Sequence, residues 1–305
     1  MFQVPVLKAQ DSMYFNEIPA PPEEVYSLKK RKLTIAGIHT AAYAGTLLIL
    51  SQAWYKDEPK TSFQVFDDSK EWLQVDKVGH VWTAYNIANY STQMWEWSGF
   101  APKKAAILGG FSSIGYQTIL EVLDAHSAKW GWSWADVAAN ITGAGMFTFQ
   151  ELAWGEQRMR FKFSSHPVNY SSDLKTKADE LYGTTFPERL LKDYNGQTYW
   201  LSLNVKSMFR NVNVPSWLNL AVGYGAKGLY GGFENRVIKN GVTLFDRSDI
   251  PRLRQWYFSP DIDFSKIKTN KKGVRTLLTL MNMIKMPAPA LELTNGKLKG
   301  RLMYF

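Results

Sequence analysis

The chain has 305 residues, 45% of them hydrophobic and 14% aromatic. That is enough apolar material for one large domain or two ordinary ones, and it excludes disorder by composition. It holds no cysteine, which excludes disulfide frameworks, thiolate nucleophiles and cysteine zinc sites; a mean hydropathy of −0.26 excludes a protein built throughout of spanning helices. The formal net charge of +9 is uneven: residues 155–305 carry 24 Lys+Arg against 12 Asp+Glu, and residues 1–154 carry 12 against 15. A basic half of this kind is suited to anionic lipid, lipopolysaccharide or nucleic acid, and the apolar and aromatic content elsewhere favours the first two.

Residues 1–28 read as a signal remnant and linker. VPVLKA before Gln10 has the shape of a signal-peptide tail without the basic and apolar regions that should precede it, and IPAPPEEVYS reads as an extended connection. Lys29-Lys30-Arg31-Lys32 then leads into an apolar run, Leu33 to Trp54. Its length suits a bilayer crossing and its basic and aromatic flanks suit membrane contact; a buried core helix is the alternative.

Three helices are predicted over residues 72–97, 103–126 and 133–153, making an N-terminal four-helix bundle over 29–155. Each carries a polar pair at helical spacing: Asp76 and His80 in DKVGH, Glu121 and Asp124 in EVLD, Asp136 and Asn140 in DVAAN. Residues three or four apart share a helix face, so the three pairs can meet in one buried polar cluster. Gly109, Gly110 and Gly115 permit close helix approach, and Ser133, three before Asp136, is set to cap the last helix.

After residue 155 the pattern changes to a basic, partly β-stranded half, giving an α+β fold. Helical patterning survives in 173–193. Strands are predicted at Tyr199–Val205, Trp217–Ala226, Gln255–Phe264 and Lys297–Phe305, with YNGQ, GYGAKGLYGG and TNGK as turns. One amphipathic helix between Gly273 and Met286 is suited to a membrane surface. The last strand, KLKGRLMYF, resembles the terminal strands of outer-membrane β-proteins.

The cluster admits three readings. The six side chains form a structural hydrogen-bond network; or His80, Glu121 and Asp124 bind a divalent transition metal, as facing helices of bundles do; or a carboxylate orients His80 as a metal-free base. His39, His126 and His166 read as, respectively, a bonded group in the apolar helix, an exposed helix end and a solvated loop.

The motifs DKVGH, EVLD and GWSWADVAANITGA resemble the YfiM-like (DUF2279) family and, more loosely, VanZ-like membrane proteins. The match covers residues 76–145 only; GWSW favours the YfiM-like family, and Asp124 departs from the VanZ pattern. The extension, with YNGQTYWLS, WLNLAVGYGAKGLYGG and MPAPALEL, looks like the longer members of the family. The resemblance implies a cell-envelope location, at the outer membrane or facing the periplasm, with the inner membrane as alternative; it implies no reaction. The expectation is a structural or accessory envelope protein that contacts lipid or lipopolysaccharide, with room for an envelope protein partner. The alternative is a metal- or His-dependent hydrolase or transferase on a lipid or cell-wall substrate. Nucleic acid is set aside because no recognition motif accompanies the charge.

Overall fold

A computed structural model describes residues 22–51 and 59–305; the signal-like stretch and the Trp54-Tyr55 edge lie outside them. Helix α1 spans Pro22–Leu50, α2 Val75–Trp97, α3 Pro102–Ala125 and α4 Trp134–Trp154. The connection expected to run extended to residue 28 is therefore helical from Pro22, a residue tolerated in a first turn because no N–H partner is needed there.

Helices α2, α3 and α4 pack pairwise around buried Ala84, Tyr85, Ala88, Ala144 and Phe147. Glycines set the spacing. A Cβ on Gly109 would collide with Thr92 and the Ala88 carbonyl, one on Gly110 with Thr148, and one on Gly143 with the Val81 carbonyl. Gly115 faces open space instead. Helix α1 lies against the outside of α2 and α3 through His39 and Tyr43, which reach Ser91 and the Trp95 and Tyr116 rings. Among the described residues the helical part is thus three mutually packed helices with α1 as a flank.

The rest is β1 (Met159–Ser165), α5 (Ser172–Tyr182), α6 (Phe186–Lys192), β2 (Gln197–Asn204), the short α7 (Val205–Met208), β3 (Leu218–Lys227), β4 (Arg236–Lys239), β5 (Val242–Asp246), β6 (Leu253–Ile262), α8 (Lys272–Met281), β7 (Ala288–Thr294) and β8 (Lys297–Tyr304). Six strands form one antiparallel sheet in the order β1-β2-β3-β6-β7-β8; β4 and β5 form a separate hairpin. Both two-residue hairpin turns are Asn-Gly with positive φ at each residue, Asn240-Gly241 and Asn295-Gly296, the geometry that matches strand twist. Helix α8 stops before the predicted Met286 because Met283–Lys285 pairs along the outer edge of β1: Phe163 N–H donates to Met283 O, and Lys285 N–H to Phe163 O.

The sheet packs on the helices through β1 and β2. Trp82 and Tyr85 of α2 meet Phe163, Tyr199 and Phe161, and Val75 joins a cluster with Tyr199, Tyr224, Ala226 and Leu229. Helix α2 is therefore covered on one side by helices and on the other by the sheet.

Candidate functional site

Three consecutive non-glycine residues, Trp72, Leu73 and Gln74, lead into α2 with φ of 49°, 51° and 66°. Left-handed backbone at such residues persists only where its surroundings enforce it. Here the Trp72 N–H donates to Gly232 O, the Tyr224 hydroxyl donates to Leu73 O, and Arg254 donates to Gln74 Oε1. This clamped turn fixes the direction in which Asp76, Lys77 and His80 leave the helix start.

Lys77 sits at the centre. Its ammonium lies 2.7 Å from Asp68 Oδ2, 2.8 Å from Asp136 Oδ1 and 3.1 Å from Asp76 Oδ2. Asp136 is in the first turn of α4, where Ser133 caps the helix by accepting its N–H at 3.0 Å, as the spacing predicts. The Ser133 hydroxyl donates in turn to Asp68. Tyr194, from the loop before β2, donates to Asp76 Oδ1 at 2.8 Å.

His80 lies one turn after Asp76. Its Nδ1 donates to Asn140 Oδ1 at 3.1 Å, an acceptor-only atom that fixes the proton on Nδ1. Its Nε2 faces Asp136 at 3.5 Å and Asp76 at 3.9 Å. Gln117 also donates to Asn140 Oδ1, and Asn140 Nδ2 to Glu121 Oε1 at 3.3 Å. Glu121 is buried, 3.8 Å from His80, and its Oε2 has no hydrogen-bond partner among the described residues. Asp124, half-buried, is one turn further along α3. The structure thus gathers Asp76, His80, Glu121, Asp136 and Asn140 into one network and leaves Asp124 at its margin. Lys77, Asp68, Gln117 and Tyr194 are members that the spacing argument does not single out. Lys77 is legible within DKVGH, whereas Asp68 and Tyr194 sit in loops with no periodic signal. Gly79 of the same motif leaves room for the Tyr199 hydroxyl.

Burial alone would lower the His80 pKa, but the carboxylates of Asp136, Asp76 and Glu121 outweigh it and raise it to about 9. Burial, with the charges of Asp76 and Asp68, pushes Asp136 up to about 7 against the pull of His80 and Lys77. Burial pushes Glu121 up to about 8, so at neutral pH the site holds two cations, Lys77 and His80, with Asp76 ionised, Asp136 near its midpoint and Glu121 mostly protonated. A protonated His80 is an acid or a counter-ion, not a base.

A metal would find three donors. Atoms of Asp76, His80 and Asp136 lie within 4.8 Å of one another, a nitrogen and two oxygens suited to a divalent transition ion. Of the donors expected from sequence, His80 is in this group and Glu121 and Asp124 are not. The fit is conditional: Lys77 already lies against the same Asp136 oxygen, and His80 would have to lose a proton. The side chains of Asp76 and His80 are 21% and 22% exposed, so an ion or solvent can reach them.

The other histidines are placed elsewhere. His39 bonds Ile35 O and Ser91 and stacks on Trp95; exposed His126 bonds Val122 O; His166 bonds Pro167 O.

A mixed α+β chain with a carboxylate–lysine–histidine network at one end of its helices defines a class of architecture, not a reaction. The family model described as a predicted periplasmic lipoprotein (DUF2279) matches residues 64–151, under a third of the chain but including every cluster residue except Tyr194. This supports an envelope protein facing the periplasm, of unassigned activity. No curated protein and no solved structure matches the chain.

Proposed function

We propose that this is an accessory protein of the outer membrane that is held in lipid by its helices and uses its polar cluster to lock those helices to the C-terminal half. The observation that carries the reading is the outward surface of the helical part. Leu33 and Ile49 of α1, Phe111 of α3, and Ile141 and Phe149 of α4 are each more than half exposed, and α1 and α3 are both long and apolar enough to cross a bilayer. A water-soluble helix bundle keeps such side chains on its inner stripe, whereas lipid accepts them. Lys29–Lys32 in the third turn of α1 and Lys103-Lys104 at the start of α3 are placed for anionic headgroups. So is α8, with Lys271, Lys272 and Arg275 beside exposed Leu277 and Leu280. GWSW before Asp136 favours the YfiM-like branch over the VanZ-like one for residues 76–145. The test is flotation of purified protein with anionic liposomes, followed by an alkaline wash. Wild type is expected to float and resist the wash; Phe111→Asp combined with Phe149→Asp is expected to be stripped. A wild type that stays with the aqueous fraction overturns the reading.

A second reading, a metal- or His-dependent hydrolase or transferase on a lipid or cell-wall substrate, is favoured by the convergence of Asp76, His80 and Asp136 within 4.8 Å. Elemental analysis of wild type beside His80→Ala tests it: near-stoichiometric metal lost in the variant supports it, and metal-free wild type removes its metal branch.

A further inference from the structure

The six-stranded sheet leaves one apolar face exposed over four of its strands. Register places Val222 opposite Phe258, Phe258 opposite Leu291, Trp256 opposite Leu293, and Leu293 opposite Leu298. These six apolar residues share one face over β3, β6, β7 and β8, and each is between 43% and 69% exposed. The alternate positions are buried, and there polar groups surround an aromatic centre of Trp200, Tyr257 and Tyr304. Asn219 donates to Ser202, Ser202 to Asp261, and Asp261 pairs with Lys162 at 2.8 Å with both side chains fully buried. Beside them Gln255 donates to Glu292, which also holds Arg301. In a sheet that faces water on one side the alternation runs the other way, apolar in and polar out.

The buried face is concave. Tyr304 of β8 stacks on Tyr257 at 4.2 Å and its hydroxyl lies 3.0 Å from Thr198 Oγ1 of β2. Those strands are four places apart, about 19 Å in a flat sheet at the usual spacing, so the sheet must curl to bring them together. The apolar face is its convex outside. Helix α2 and the turn before it cover that face over β1, β2 and Tyr224 of β3; beyond Tyr224 nothing among the described residues covers it. Where β6–β7 pairing stops and β7–β8 bulges, an apolar groove of about 500 Å³ opens between Phe258, Pro260, Pro289, Leu291 and Leu302. Among the described residues β8 is unpaired on its outer edge, and it carries exposed Lys297 and Lys299.

We propose that the convex face of β3, β6, β7 and β8 lies in the acyl-chain layer of a bilayer, with the β8 edge at the level of the lipid phosphates. Hydrocarbon suits a contiguous apolar face of this kind, which marks an interaction surface. The lysines complement the phosphates. The edge position also answers the chief objection to open strands in lipid, that unpaired backbone groups need water: at the phosphate level β8 has it. The inference extends the lipid-contact reading from helices to sheet, and its test separates the two.

The absence of cysteine from the sequence makes single-cysteine labelling direct. Leu291→Cys and Phe258→Cys report on the sheet face, Phe111→Cys on the helices, and Val242→Cys, on the exposed β4–β5 hairpin, on water. Each is labelled with a fluorophore in the full-length protein and reconstituted into phosphatidylethanolamine–phosphatidylglycerol vesicles with or without brominated acyl chains. The proposal expects bromine to quench labels at 291 and 258 and to spare 242. If 291 and 258 behave like 242 while 111 is quenched, the sheet proposal falls and the helical reading stands. If 111 is spared as well, both fall. If 291 and 258 are spared by bromine but self-quench between labelled copies, a second copy of the chain covers the face and the proposal is overturned.

Discussion

Lys77 is the residue on which the cluster depends, because it is the cation that three carboxylates share. Removing one partner of a buried ion pair leaves uncompensated charge and costs about 3–5 kcal/mol. Lys77→Met is therefore expected to lose stability on that scale in a denaturant melt, and Lys77→Arg to lose less. His80 gives the network a pH dependence. Its folded pKa of about 9 exceeds its ordinary 6.5, so its contribution is fully present below about pH 6.5 and is lost as pH rises through about 9. Asp136, pushed up to about 7, acts in the same direction at lower pH, since the folded state keeps a proton that the unfolded chain releases above 3.8. Lys285, lowered to about 8 by burial, opposes the fall only from about pH 8 to 10.5. Thermal melts should show wild type losing stability between pH 6.5 and 9, and His80→Gln should flatten that slope; an unchanged slope would remove His80 from the account. Much of this site is legible in sequence because a helix converts spacing into a shared face: that is how Asp76 meets His80 and Asp136 meets Asn140. Asp68 and Tyr194 come from irregular segments, and only the tertiary fold brings them in.

At the scale of elements, glycines do two different jobs on one helix. Gly143 of α4 lies against the Val81 carbonyl of α2, while Gly145 has nothing near it. Gly143→Ala should force the helices apart and destabilise by about 1–3 kcal/mol. Gly145→Ala should stabilise by roughly 0.5–1 kcal/mol through helix propensity alone. Chemical denaturation of the pair measures both, and equal effects would contradict the packing described. The helices are readable because their apolar and small residues recur at helical period and their ends carry Ser133, Pro102 and Gly155 as stops or caps. Strands β2, β3, β6 and β8 are readable from alternation and Asn-Gly turns. Strand β7 is not, because Pro287 and Pro289 argue against a strand, yet Pro287 directly precedes β7 and Pro289 sits in it at a bulge. Strand β1 is hidden in a short basic run, and β4–β5 in a polar one. Alternation also leaves open which face is inside, and in this sheet the buried one mixes Trp200, Tyr257 and Tyr304 with Lys162, Ser202 and Asp261.

Across the whole molecule the helices and the sheet share one set of contacts. Tyr85 of α2 donates to Gln157 and Met159 O, Trp82 donates to Met283 O, and Tyr194 holds Asp76. The left-handed turn at Trp72–Gln74 is held from Gly232, Tyr224 and Arg254, all in the C-terminal half. A residue in that conformation is strained by about 1–3 kcal/mol, which those partners in the C-terminal half offset. Helix α2 is buried on the sheet side by Phe161, Phe163 and Tyr199, so a chain cut after α4 exposes the Trp82–Tyr85 face as well as the outer apolar faces of α3 and α4. A fragment of residues 59–155, which contains the whole segment matched by the family model, is therefore expected to keep helical circular dichroism in detergent yet melt without a cooperative transition, whereas the full chain melts sharply. Lys77→Met should lower the midpoint of the full chain and leave the fragment unaffected, because the cluster is fixed in place from the C-terminal side. A fragment that melts as sharply as the full chain, with the same Lys77 sensitivity, would show that the helices build the site unaided and that the sheet is an appendage to it.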